Sequence, residues 1–282
     1  INMLSITGGH GDGWMPSGVD INPFLAYPGM PDGRCDGPAE ARKKVREMLR
    51  SGAEIIKISS TGGVISPTDR PEHTQFSPEE LAVIVEEAAF HGGVKVISHA
   101  QGTQGIKQAV LAGIHSIEHG IYLDDEVIEL MLERGTFLVP TLLAPFSIIE
   151  KAEKGEPVPP HVLAKARDAF ESHQQSIARA YRAGVKIAMG TDAGVMPHGT
   201  NLRELGLMCQ IGMSPTEAIL ATTKTAAECL GWQERVGTIE AGKLADIVIW
   251  KTNPFEDIHS LADNSNAVIV LKDGKVIKNL LG

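Results

Sequence analysis

The sequence predicts an α/β fold, with parallel strands covered by helices, built either as a barrel or as a doubly wound sheet. Three observations carry this reading. Short apolar runs alternate with amphipathic stretches along most of the 282 residues. Four of those runs close on a polar residue, Lys57, His99, His119 and Asp192. No GxGxxG or Walker pattern follows any strand, which disfavours the nucleotide-binding doubly wound folds.

The elements follow in order. Ile1 to Ser5 is strand-like, and Gly11–Gly37, rich in Gly and Pro, is long enough to be a functional lid. A helix over about Pro38–Ser51 precedes the strand Glu54-Ile-Ile-Lys-Ile-Ser-Ser60, whose composition is that of a strand buried on both faces. Ser77-Pro-Glu-Glu has N-cap chemistry and starts a helix that runs to about His91. Next come a strand over Lys95–Ala100, a helix over Thr103–Ala112, a strand over His115–His119, a helix over Asp124–Arg134 and a strand over Thr136–Pro140. A loop over Lys151–Pro160 leads to a long helix, His161–Ala183, and then to a strand over Val185–Asp192. Helices over Asn201–Ile211 and Ser214–Leu230 complete a first unit, 1–235. Residues 236–282 form short strands around the turn Lys272-Asp-Gly-Lys, a small β-module.

Composition narrows the function. Hydrophobic residues at 43% and charged residues at 22% are those of an ordinary soluble globular protein. A formal charge of −9 without any basic block argues against nucleic-acid or anionic-membrane partners. No apolar run is long enough for a membrane span. Cys35, Cys209 and Cys229 share no metal or redox spacing, and their odd number points to a reducing, cytoplasmic compartment. The chain opens without an initiator Met, so a preceding signal peptide or domain stays open.

Lys57 sits among Ile55, Ile56 and Ile58, where an unpaired ammonium is costly to bury. In a barrel the C-terminal strand ends converge on one face and carry catalytic groups. Two His and a carboxylate are a common ligand set for Zn²⁺ and similar ions. Singly, each residue has an ordinary explanation as a core histidine, a turn aspartate or a snorkelling lysine. At four successive strand ends those explanations lose their advantage.

The chain resembles the amidohydrolase superfamily, in its imidazolonepropionase-like branch of Xaa-Pro dipeptidases and metal-dependent carboxypeptidases, and is similar to ochratoxin-degrading amidases. The motifs are Thr7-Gly-Gly-His-Gly-Asp12, Ile56-Lys-Ile, Thr61-Gly-Gly-Val, Ser98-His-Ala, Ile117-Glu-His-Gly, Gly190-Thr-Asp-Ala-Gly and the tail Gly237-Thr-Ile-Glu-Ala-Gly-Lys-Leu-Ala-Asp, spanning nearly the whole chain. The resemblance implies a (β/α)₈ TIM-type barrel, here represented by about strands 3–8, followed by the C-terminal part of a small β-sandwich module. It implies a binuclear metal-dependent hydrolase of amide or peptide C–N bonds, acting on dipeptides (Xaa-Pro-like) or N-acyl amino acids. Two divalent ions, Zn²⁺ first among the choices, would be bridged by a Lys57 carboxylated with CO₂; burial favours the neutral, nucleophilic amine that reaction needs. His99 and His119 would bind one ion, and Asp192 would sit beside the other as general base and then general acid. His10 would touch the substrate carbonyl or oxyanion, and Tyr122 the oxyanion or the substrate carboxylate. His198, in the loop after Asp192, stands where it reaches substrate or lies on the surface. Glu118 is expected to face the helical shell, and His73, His161 and His173 to be solvated or structural. A homo-oligomer is expected.

The sequence departs from the family in one respect. The family opens its barrel with a His-x-His pair on the first strand, and no such pair occurs here. The first two strands and half of the β-module are therefore expected to precede Ile1 in the functional molecule. Competing readings are a mononuclear deaminase or cyclic-amide hydrolase, a carbamate, phenylurea or mycotoxin amidase, and an inactive fragment or scaffold. Lys57 favours the binuclear enzyme, because a mononuclear site has no need of it.

Overall fold

A computed structural model describes residues 2–15, 17–20 and 29–281. The remaining part of the expected lid, 16 and 21–28, lies outside the described residues. A parallel sheet in the order β1 (Ile55–Ser59), β2 (Lys95–Ala100), β3 (Ser116–His119) and β4 (Phe137–Val139) forms the centre. Single parallel bridges extend it at both sides. Leu4 pairs with Ile58 and Ser5 with Arg34 beyond β1, while Leu138 pairs with Ile187 beyond β4. The result is an arc of parallel chain segments, the TIM-type α/β arrangement with its helices outside.

The helices are α1 (Pro38–Arg50), α2 (Pro78–Phe90), α3 (Thr103–Ala112), α4 (Asp125–Arg134), α5 (Leu143–Glu153), α6 (Pro160–Ala183), α7 (Arg203–Gln210), α8 (Pro215–Thr222) and α9 (Lys224–Leu230). Local chemistry explains their starts. At α2, Ser77 accepts the Glu80 N–H while the Glu80 carboxylate accepts the Ser77 N–H, a complete capping box. Ser214 and Glu217 repeat it at α8. Leu81, Ile84 and Ala88 of α2 and Ala41, Val45 and Met48 of α1 are fully buried on one stripe of each helix. They pack on Ile56, Ile58, Val96, Ile117 and Leu138 of the sheet in one continuous core. Each Leu, Ile, Val or Met side chain among them removed from water stabilises the fold by ~1.5–3 kcal/mol.

Three expectations change. Leu143–Glu153 is helical, because its apolar face, Leu143, Ala144 and Ile148, is buried; the loop before α6 is correspondingly short. The strand expected over Val185–Asp192 reduces to the Ile187 bridge. The helix expected over Ser214–Leu230 breaks at Thr223, whose backbone leaves the helical region (φ −117°, ψ −83°).

After α9, β5 (Ile247–Trp250), β6 (Ala267–Lys272) and β7 (Lys275–Asn279) form an antiparallel sheet in that order, the C-terminal β-module. Its Val248, Ile249, Val276 and Ile277 are exposed. Among the described residues no helix is long and apolar enough to cross a membrane.

Candidate active site

Parallel register decides which side chains share a face. Lys57 pairs with Ile97, Ile97 with Ser116 and Ser116 with Phe137; two residues on, Ser59 pairs with His99, His99 with Glu118 and Glu118 with Val139. Because side chains alternate with period 2, these rows occupy the inner face, and Ile56, Ile58, Val96 and Ile117 face the helices. Lys57 is therefore half-buried on the inner face, while the isoleucines on either side are sealed beneath α1 and α2. The strand is not equally buried on both faces, as its composition suggested. Glu118 is also corrected: it shares the inner row with His99 rather than the helical shell.

Alternation alone would send His119 outward with Ile117. Its backbone instead takes φ +79°, a left-handed conformation, and the ring turns back to meet His99 edge to face with centroids 4.6 Å apart. Asp192 (φ +57°) and Thr141 (φ +51°) are strained in the same sense. Such residues cost ~1–3 kcal/mol each and cluster where function requires them. Three of the five non-glycine residues with positive φ among those described, His119, Thr141 and Asp192, belong to this one place.

The cleft above β2 and β3 is lined by His10, His99, Gln101, His119, His173 and Asp192, with an apolar wall of Val64, Ile65, Ile121, Ala144, Pro145 and Ile148. His10 stacks on His99 at 4.0 Å between centroids. His99 donates from Nε2 to the Gly62 carbonyl (3.1 Å), and His119 Nδ1 pairs with Thr141 Oγ1 (2.6 Å). Each imidazole is thus oriented through one nitrogen, leaving Nδ1 of His99 and Nε2 of His119 for another partner. Burial, first of all, holds both rings well below the usual histidine range, and neighbouring His10 and Lys57 add to the effect. Both shifts favour the neutral imidazole, the form in which histidine binds a metal. Burial likewise raises the Glu118 carboxyl, opposed by the Ser116 hydroxyl that donates to it at 2.6 Å.

These donors fit a divalent ion in kind and orientation, since ligating histidines are ordinarily held by a hydrogen bond from the other ring nitrogen. They fall short in number. Among the described residues no group of three or more His, Cys, Asp or Glu stands at ligand spacing.

The structure gathers His10, His99, His119 and Asp192 around the cleft and sets Lys57 on the same inner face. Tyr122 is not among the lining; it packs beside the cluster of Val64, Ile121 and Val162, its hydroxyl raised by burial and by Glu72 and Asp168. His198 is exposed and also outside the lining. Several participants have no local sequence signal. His173, expected to be solvated or structural, is buried in the cleft and donates to the His119 carbonyl at 2.9 Å. Glu204, fully buried, accepts the Leu142 and Leu143 N–H groups at 2.7 Å each and so anchors α5, which carries part of the apolar wall. Only the glycine pair in Thr61-Gly-Gly-Val hinted at close packing: a Cβ at Gly63 would lie 2.2 Å from the His10 ring.

Residues 11–277 match the model of the amidohydrolase family. The chain belongs to that family. This amidohydrolase is 40% identical to the ochratoxinase of Aspergillus niger over 98% of its own length and 58% of that protein's. It superposes on the crystal structure of a Xaa-Pro dipeptidase with bound methionine in the active site at a TM-score of 0.88 and 38% identity, covering 98% of this chain and 66% of that one. A prolidase complexed with N-methylphosphonate-L-proline matches at a TM-score of 0.88 and 34% identity, over 99% of this chain and 68% of that one. The chain thus spans less than two thirds of the length of the ochratoxinase and of the Xaa-Pro dipeptidase.

Proposed function

We propose that this amidohydrolase cleaves amide C–N bonds of dipeptides or N-acyl amino acids in a metal-dependent reaction, with the cleft described above as its active site. The observation that carries the reading is the convergence of two buried imidazoles, His99 and His119, each with one ring nitrogen tethered, beside Asp192. The prolidase, dipeptidase and ochratoxinase relatives support the substrate class. His99, His119 and a carboxylated Lys57 would hold a pair of divalent ions, with zinc the leading choice. Such ions make water acidic near neutral pH and polarise a carbonyl, so no protein nucleophile is required. Asp192 takes the proton of the attacking water on its carboxylate and returns it to the leaving amine. His10, stacked over His99, faces the substrate carbonyl oxygen. The apolar wall excludes water on the opposite side. Lys57 on the inner face favours two ions over one.

Metal content by plasma mass spectrometry, measured on the chain and on His119→Ala, tests this first. At least one divalent ion per chain, lost in the variant, is expected, together with release of amino acids from a dipeptide and N-acyl amino acid panel. A chain that stays metal-free in zinc-replete medium overturns the reading.

A further inference from the structure

We propose that Asp69 is the positioning residue for His10, fixing which edge of the imidazole faces the cleft; this rests on the assignment of His10 to the substrate carbonyl given above. His10 is otherwise poorly held for a residue with that task. It lies in a glycine-rich turn, and its Nδ1 is buried without a hydrogen-bond partner. Asp69 Oδ2 stands 3.6 Å from it. That is longer than a hydrogen bond, and catalytic contacts of this kind tighten when substrate is bound.

Asp69 is itself immobilised. It is 5% exposed; Oδ1 accepts the Gly63 N–H at 3.0 Å, and Oδ2 accepts Nε2–H of Gln75 at 3.1 Å. The other end of the Gln75 amide accepts the His10 backbone N–H at 3.1 Å. This pair of bonds settles the amide orientation: reversed, it would set NH₂ against N–H and oxygen against carboxylate. Gln75 therefore ties the His10 backbone to the carboxylate beside its ring. The loop that carries Asp69 is pinned in turn from α6, where Lys165 Nζ donates to the carbonyls of Gly63 (3.0 Å), Ser66 (2.7 Å) and Asp69. A ring with Nδ1 toward this fixed carboxylate carries its proton there, and its Nε2 edge is left for the cleft. Asp69, Gln75 and Lys165 all lie more than fifty positions from His10 in the chain, and nothing about these three marks a site when read locally.

Two measurements test the proposal. The first is a double-mutant cycle of His10→Asn and Asp69→Asn, reading kcat and KM on a hydrolysed amide. Asp69→Asn should lower kcat by about a hundredfold, the scale of a ~1 Å misplacement, with KM little changed. In the His10→Asn background the same substitution should cost nothing. An equal loss in both backgrounds, or no loss in either, overturns the proposal. The second reads the ¹⁵N resonances of the His10 ring in the wild-type chain without metal. Protonation at Nδ1 is expected, and an Nε2–H tautomer overturns the proposal even if Asp69→Asn does not fold. A chain that hydrolyses no amide sinks the functional reading instead, and the ring resonances still decide the role of Asp69.

Discussion

Replacing Gly63 with alanine perturbs the site by a known distance. The new Cβ would stand 2.2 Å from Cε1, 2.7 Å from Nδ1 and 2.9 Å from Nε2 of His10. Carbon atoms pack at ~3.5 Å, so the ring must retreat by about 1.3 Å. His99, at 4.0 Å between centroids, and Asp69, at 3.6 Å, block two of its directions, while the side chain is 17% exposed to solvent. Gly63 has no left-handed φ, so alanine brings no backbone strain of its own. Overpacking in a rigid core costs ~1–3 kcal/mol. A half-buried ring that can yield should put this substitution at the lower end, a fall of a few °C in melting temperature. Activity should suffer far more, by ~10²-fold in kcat/KM, because a displacement of this size misplaces the group facing the substrate carbonyl. Thermal melts and hydrolysis of the preferred dipeptide, measured on the same preparations, separate the two effects. His10→Ala/Gly63→Ala should melt with His10→Ala, since the clash is gone. Full activity with an unchanged melt would refute the reasoning, and so would a clash penalty that survives the removal of His10.

Other expectations follow from single contacts. Ser77→Ala removes one half of the α2 capping box and should destabilise the chain by ~1 kcal/mol, a shift of ~2–4 °C in a thermal melt. Burial pushes Glu204 up from 4.5 to about 8 against the pull of the Leu142 and Leu143 N–H groups, so the folded chain binds this proton more tightly than the unfolded one. That contribution to stability is present below pH 4.5 and is lost as the pH rises through about 8. Urea unfolding of wild type and Glu204→Gln at stepped pH should show the difference between them changing by up to ~1.4 kcal/mol per pH unit across that window; parallel curves would contradict it. Lys165→Met removes the clamp on the Gly63–Asp69 loop and should raise KM several-fold, with limited proteolysis showing earlier cleavage in that loop.

Much of the molecule is legible from local pattern. Apolar runs of strand length, the Ser77 and Ser214 capping boxes, and glycines after helix ends such as Gly113 and Gly135 act over a few residues, so the corresponding elements lie close to where the pattern sets them. The chemical identities at the strand ends, Lys57, His99, His119 and Asp192, are equally plain in the sequence, because an apolar strand has no structural use for them. What tertiary structure decided is direction and company. Alternation would have placed His119 among the helices, and only its left-handed backbone returns it to His99. Glu118 reads as a shell residue beside a ligand, and its pairing with His99 sets it on the inner face. The bonds joining His10 to Gln75, Gly63 to Asp69, and that loop to Lys165 unite segments from three parts of the chain. Period and capping are properties of neighbours along the chain. A carboxylate meeting an imidazole some sixty residues away is a property of how helices and strands pack, and no local pattern encodes it.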